Sequence, residues 1–238
     1  MRTFSVDHSQ FGEFSLFLKV ARPRRHGLIV DVGVLGKDGS NSYDLMWQLG
    51  WRGILVEANP NSWEEIERDF SGLNSTLVRC AVSDVEGPVV FHLGVVDGVS
   101  SIIRAMAEAW GPSRGEVEVP ARRLGDILDE QQVPMNFDLL SLDIEGMDMP
   151  VLNDLIANTN YRPRWIFLEA SLDFQTKSLA DLDLLSAVQD QYEIVGQTVP
   201  NLLLAHRDVL SISARARAKF HLWLARWKRS RQAGPSLK

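Results

Sequence analysis

Cysteine is nearly absent: Cys80 is the only one in 238 residues. That excludes an intrachain disulfide and a thiolate metal cluster, and it fits a reducing compartment. No apolar run approaches the length needed to span a bilayer. No secretory signal is readable at the N-terminus, where the apolar stretch 14–20 is short, contains Lys19 and follows Asp7 and Glu13. A soluble, cytoplasmic protein is the expectation. Internal repeats and low-complexity linkers are also missing, and this length with 45% hydrophobic residues suits one α/β domain. Ser-His-Asp and Cys-His constellations are missing as well. The five histidines are scattered and read as structural or surface residues, with His8, beside Ser9-Gln10, the one kept in view.

Acidic residues are lacking in one place only. From Arg207 to the C-terminus, nine basic residues stand against Asp208, so this tail carries +8 and the remainder −14 of the net −6. An acidic body argues against nucleic-acid binding by the catalytic face. In the tail, Phe220, Trp223, Leu224 and Trp227 recur at helical spacing, while Arg215, Lys219, Arg226 and Arg229 are expected on the opposite face, giving a basic amphipathic helix. Such a helix can rest on an anionic membrane surface, or pack its aromatic stripe on the parent domain or on a second subunit. The expected organisation is an N-terminal helical extension (1–26), a main domain (27–210) and the basic tail (211–238).

The stretch 27–60 reads as one βαβ unit. An apolar strand around Leu28, Ile29 and Val30 leads into a glycine-rich turn. One helix (42–49), capped by Ser40 or Asn41, follows, and then a second strand ends on Glu57. Asp31 and Glu57 stand at the carboxyl ends of the two strands, where open α/β sheets place their ligand crevice. Gly33, Gly36 and Gly39 let backbone approach a ligand, and an acid ending the second strand can accept both hydroxyls of a ribose. A nucleoside-containing cofactor is therefore indicated, against the plainer alternative of an ordinary βα loop. The glycine spacing is not GxGxxG, so the nicotinamide fingerprint is missing.

Further strands are expected over 76–80, 87–93, 116–120, 137–142 and 165–168, with helices over 62–69, 124–130, 150–157 and 179–189. The segments 192–197 and 201–206 are joined by Thr198-Val199-Pro200, too short for a parallel crossover, and should form an antiparallel hairpin. A mainly parallel sheet with helices on both faces and a C-terminal antiparallel hairpin is the class I methyltransferase (Rossmann-like) architecture.

Ordered motifs sharpen this reading. They are Ser9-Gln10 with Gly12-Glu13, Asp31-Val32-Gly33 with Asp38-Gly39, Gly50-Trp51 with Gly53, Val56-Glu57, Ala81-Val82-Ser83, 124–128, 140–146 and Arg162-Pro163 through Glu169. Over most of its length the chain resembles the FkbM-type S-adenosylmethionine-dependent O-methyltransferases. It departs from the usual family pattern at Val34-Leu35, where Ala-Asn is typical, and at Phe14, where Asp is typical. The resemblance implies S-adenosylmethionine as cofactor, with Asp31 and Gly33 toward its methionine part, Glu57 on the ribose and Cys80-Ala81 at the adenine edge. It also implies methyl transfer to a hydroxyl of a sugar, glycan or natural product.

Asp143, Glu145, Asp148 and Glu169 carry the chemistry. A hydroxyl nucleophile must lose its proton to a base or be acidified by a metal. Asp143 and Glu169 end successive strands and so stand side by side at the ligand edge, an arrangement that suits general-base work or a hard cation such as Mg²⁺. Asp143, Glu145 and Glu169 are the catalytic candidates, and Asp143 and Glu169 the candidate metal ligands. The competing use of Glu145 and Asp148 is to cap the following helix. A rival from another class keeps the fold without catalysis and acts through the basic tail at a membrane or protein partner.

Overall fold

The central strands of this chain are apolar on both sides, because both faces of the sheet they form are covered. In the computed structural model, which describes residues 6–170, 178–198 and 200–232 with side chains as far as Trp223, the elements run in this order: α1 (Glu13–Val20), β1 (Leu28–Val32), α2 (Tyr43–Leu49), β2 (Arg52–Val56), α3 (Trp63–Asp69), β3 (Ser75–Val78), β4 (Ala81–Val82), β5 (Gly87–Leu93), α4 (Arg104–Ala107), β6 (Gly115–Arg122), α5 (Leu124–Glu130), β7 (Leu139–Leu142), α6 (Asp148–Asn158), β8 (Trp165–Glu169), α7 (Ser186–Gln191), β9 (Tyr192–Gln197), β10 (Asn201–His206) and α8 (Ile212–Gln232).

Seven strands form one sheet in the order β3-β2-β1-β7-β8-β10-β9. The pairings from β3 through β8 are parallel, and β10 runs antiparallel to both β8 and β9, the expected hairpin. Successive residues point to opposite faces. Val30, Ile54, Leu140, Ile166 and Leu204 join the core under α5, α6 and α7. Ile29, Leu55, Leu139, Phe167 and Leu203 join the core under α1, α2, α3 and α8. The fold is thus α/β, Rossmann-like, with helices on both faces.

Three local readings are corrected. The strand expected over 76–80 ends at Val78; Ala81 and Val82 leave the main sheet and pair with Ala121 and Arg122 of β6. A second, three-stranded sheet of order β4-β6-β5 results, packed around Phe91, Ala81, Val119 and Ala58. The helix expected over 179–189 is a single 3₁₀ turn (Leu179–Asp181) followed by α7. Ser178 and Asp181 cap that turn reciprocally, and Leu182 and Leu185 are extended, so capping chemistry interrupts what the apolar spacing read as continuous. Finally α6 starts at Asp148, two residues before Pro150, which still falls within the first turn where no amide partner is lost. Of the hairpin connection, Val199 lies outside the described residues.

At the head of α2 the N-cap position is Ser42, yet the capping oxygen belongs to Ser40. Its hydroxyl accepts from the amides of Ser42 (3.0 Å) and Tyr43 (3.1 Å). Gly50 ends this helix in the left-handed region at φ 67. Trp51 then buries its indole almost completely and donates Nε1–H to the Arg24 carbonyl at 2.9 Å, tying the segment before β1 to the sheet.

Candidate active site

The strand order reverses between β1 and β7, since β1 continues to β2 on one side while β7 and β8 extend the sheet on the other. Backbone loops must part at such a point, and a crevice opens at the carboxyl ends of the strands. Gly33, Glu57, Cys80, Ala81, Asp143 and Glu145, six of the residues singled out from sequence, line it together.

Glu57 follows β2 and is 93% shielded from solvent, with an exposure of 7%. One of its carboxylate oxygens accepts the Asn59 amide at 2.6 Å. Burial outweighs that bond and pushes the carboxyl up to about 8. The Asn59 side chain donates to Asp97 at 3.1 Å, and Asp97 in turn is held by Arg114. The 3₁₀ turn Asp97–Val99 therefore forms a wall beside Glu57. Leu35 packs against this wall: a Cβ built on Gly98 would sit 3.1 Å from Leu35 Cδ1. Of the three residues that depart from the family pattern, Val34 is buried in the core beneath α2, Phe14 is buried in the same core, and Leu35 supplies apolar lining. Phe91, Ala58 and Ile102 extend that apolar surface, and Cys80 is a buried thiol raised to about 11, hence protonated and unreactive.

Other sequence candidates lie elsewhere. Asp31 is buried beneath α2, with the Ser40 hydroxyl at 3.5 Å and further bonds from Ser42 and Ser141; burial raises its carboxyl despite them. It does not line the crevice. Gly36 faces Asp69 and Glu65 of α3, and Gly39 makes a bridge with Ser9. Neither lines the crevice. His8 donates its amide to Asp44 at 2.6 Å and places Nδ1 3.0 Å from the same carboxylate, against Tyr43 and outside the crevice lining.

The acidic cluster gathers where β7 and β8 end in register, Leu142 beside Leu168. Carboxylate oxygens of Asp143, Glu145 and Glu169 all lie within 4.8 Å of one another. Three anions so close cannot all stay charged without a proton or a cation between them. Burial first, and then repulsion from Glu169, Asp148, Glu145 and Asp31, holds Asp143 well above the usual carboxylate range. Glu169 is raised by burial and partly relieved by a hydrogen bond from Asp143. Burial and the Glu169 charge push Glu145 up to about 7. This group suits proton exchange near neutrality, and its three oxygens match the donor set of a hard divalent cation.

Glu145 and Asp148 divide the two uses considered for them. Asp148, the first residue of α6, accepts the amides of Ile144 at 3.3 Å and Gly146 at 3.4 Å, and so shapes the loop. Glu145 sits at φ 50 with its carbonyl accepting the Ser101 hydroxyl at 2.8 Å, which leaves its carboxylate turned into the cluster. Asn59, Asp97 and Ser101 had no signal of function in the sequence. Asn59 reads as the opening of the helix expected over 62–69, Ser101 as the start of a short helix or loop over 101–109, and Asp97 falls between expected elements.

A family model described as the methyltransferase FkbM domain matches residues 31–192, from β1 through the start of β9 and more than half of the chain. No curated protein matches it.

Proposed function

The chain belongs to the FkbM methyltransferase family and is a methyltransferase; on that premise we propose that it uses S-adenosylmethionine to methylate a hydroxyl of a sugar, glycan or natural product. The observation that carries this reading is the placing of two kinds of acid in one crevice. Glu57 at the end of β2 and Asp143 with Glu145 after β7 line it, and Glu169 at the end of β8 stands beside the latter two without itself lining the crevice.

The residues fit the cofactor. A buried carboxylate at the end of the second strand suits a ribose diol, apolar Ala58, Phe91 and Ile102 suit a purine, and Gly33 keeps the floor of the crevice bare of side chain. When bound, S-adenosylmethionine supplies an electrophilic methyl group. Glu57 would hold its ribose, Gly33 its methionine part, and Cys80 with Ala81 the adenine edge.

The acceptor oxygen must shed a proton as it becomes a nucleophile. Two carboxyls as close as Asp143 and Glu169 would hold one proton between them and take a second from the acceptor hydroxyl. Glu145, raised to about 7, holds or releases a proton at working pH and can accept a hydrogen bond from a neighbouring acceptor hydroxyl. The same three carboxylates are the residues that would hold Mg²⁺, which would acidify the acceptor hydroxyl instead.

Mass spectrometry of the purified protein, together with calorimetry, tests the reading. Retained or titratable S-adenosylmethionine, and methyl transfer to a polyol or glycan acceptor, are the expected results. Absence of cofactor binding by the wild-type protein would overturn it.

A further inference from the structure

The last helix packs one side on the domain and carries exposed apolar side chains on another. Ala214 and Ala218 are buried in the core shared with α1 and β9, and His221, one helical step further, is half-buried beside Lys19 and Arg217. Arg215 reaches Glu193 at 3.0 Å and Arg217 donates to the Val20 carbonyl at 3.2 Å, which fixes this side of α8 against the domain. Ile212, Phe220 and Trp223 lie on the other side, exposed by 90%, 57% and 59%. At 100° per residue Ile212, Ala216, Phe220 and Trp223 form one stripe, roughly opposite Ala214 and Ala218. Phe220 and Trp223 thus keep more than half of their surface open to solvent.

The charge around this stripe is of one sign. Between Val209 and the C-terminus there are eight basic residues and no acid. Lys219 is exposed next to Phe220, and in sequence Arg226, Lys228, Arg229 and Arg231 follow Trp223, with Trp227 four positions on. No helix among the described residues is long and apolar enough to cross a membrane.

We propose that the outward face of α8 docks the protein onto an anionic phospholipid surface, the helix lying flat with Phe220 and Trp223 at headgroup level and the basic residues on the phosphates. The indole N–H of Trp favours that depth, the apolar ring of Phe inserts at the headgroup–acyl boundary beside it, and cations flanking an apolar stripe are drawn to acidic headgroups. A second copy of the chain fits the same face poorly. The commonest self-association is two-fold, and it would bring two copies of Lys219 and of the basic run that follows it in sequence together. The proposal is independent of the chemistry in the crevice.

Co-sedimentation of the full chain with vesicles provides the test, using phosphatidylcholine alone and phosphatidylcholine mixed with phosphatidylglycerol. Binding to the mixed vesicles, weakened by salt, and little binding to the neutral ones is expected. The double variant F220S/W223S should lose roughly tenfold or more in partition, and K219Q roughly fivefold, the scale of one surface cation. Both variants change exposed positions, so thermal melting and cofactor binding should match wild type and show that the fold is kept. Equal binding of wild type and F220S/W223S, or equal binding to neutral and anionic vesicles, would overturn the proposal. So would light scattering that shows a dimer which F220S/W223S dissociates, because the face would then be covered by a second copy.

Discussion

Gly33 and Asp143 meet backbone to backbone: a Cβ on Gly33 would stand 1.8 Å from the carbonyl oxygen of Asp143. The contact follows from the sheet, because the Asp143 amide donates to the Val32 carbonyl at 3.1 Å and so brings the end of β7 hard against the turn after β1. Gly33 also sits at φ 85, a conformation that side chains disfavour. The glycine that lines the crevice is thus the residue that allows the acidic strand end to approach it.

Gly33→Ala is expected to destabilise the fold by on the order of 2–5 kcal/mol, from overpacking added to left-handed strain. Gly39→Ala is the informative comparison. That glycine has positive φ too, but a Cβ there meets nothing within 4 Å, so only the strain remains. Urea melts of the two variants check this, and equal losses would contradict the close approach.

Stability should fall as pH rises through the neutral range. Burial pushes Glu57 up to about 8 and Asp148 up to about 7 in the folded chain, while in the unfolded chain they titrate near the ordinary 4.5 and 3.8. Between those limits the folded protein keeps a proton that the unfolded chain has released. Each group's contribution is therefore fully present below its unfolded pKa and is lost as pH climbs to the folded one, at most about 1.4 kcal/mol per pH unit per group. Thermal melts from pH 5 to 8.5 should show a declining Tm, flattened in Glu57→Gln and in Asp148→Asn. A profile that rises over this window would mean the buried acids are ionised.

Glu57→Ala is expected to weaken S-adenosylmethionine by roughly tenfold or more, the scale of a lost hydrogen bond that leaves its partner unpaired. Asn59→Ala should weaken it less, since Asn59 acts through its side chain on Asp97 and would keep its amide on Glu57. Calorimetry of the two variants reads both effects. Unchanged affinity in Glu57→Ala removes the ribose from this acid.

Asp143→Asn should slow turnover by about 10² or more while leaving cofactor affinity close to wild type, the usual separation for a positioned proton acceptor. Glu145→Gln and Glu169→Gln should give smaller losses. A chelator distinguishes the two uses of the cluster: activity that survives EDTA leaves a base, and activity lost to EDTA and restored by Mg²⁺ leaves a cation. Full activity in Asp143→Asn with a genuine acceptor would move the chemistry away from this cluster.

Local pattern determined much of this protein. Apolar runs such as those of β1 and β8 dictate doubly covered strands, a three-residue connection dictates the β9–β10 hairpin, and the acids ending β2, β7 and β8 are visible as the residues after each run. Nothing local distinguishes the glycines after β1, though. Only the tertiary structure shows that Gly33 abuts Asp143 while Gly36 faces α3, because that depends on which strands become neighbours. Nor could spacing tell that Ala81 and Val82 join a second sheet, or that Asp97 comes to Asn59 from 38 positions away. In α8 the sequence determined that one helix carries aromatics and cations. Which stripe packs and which stays in solvent was decided by the surface that α1 and β9 offered, and two alanines fitted it where Phe220 and Trp223 did not.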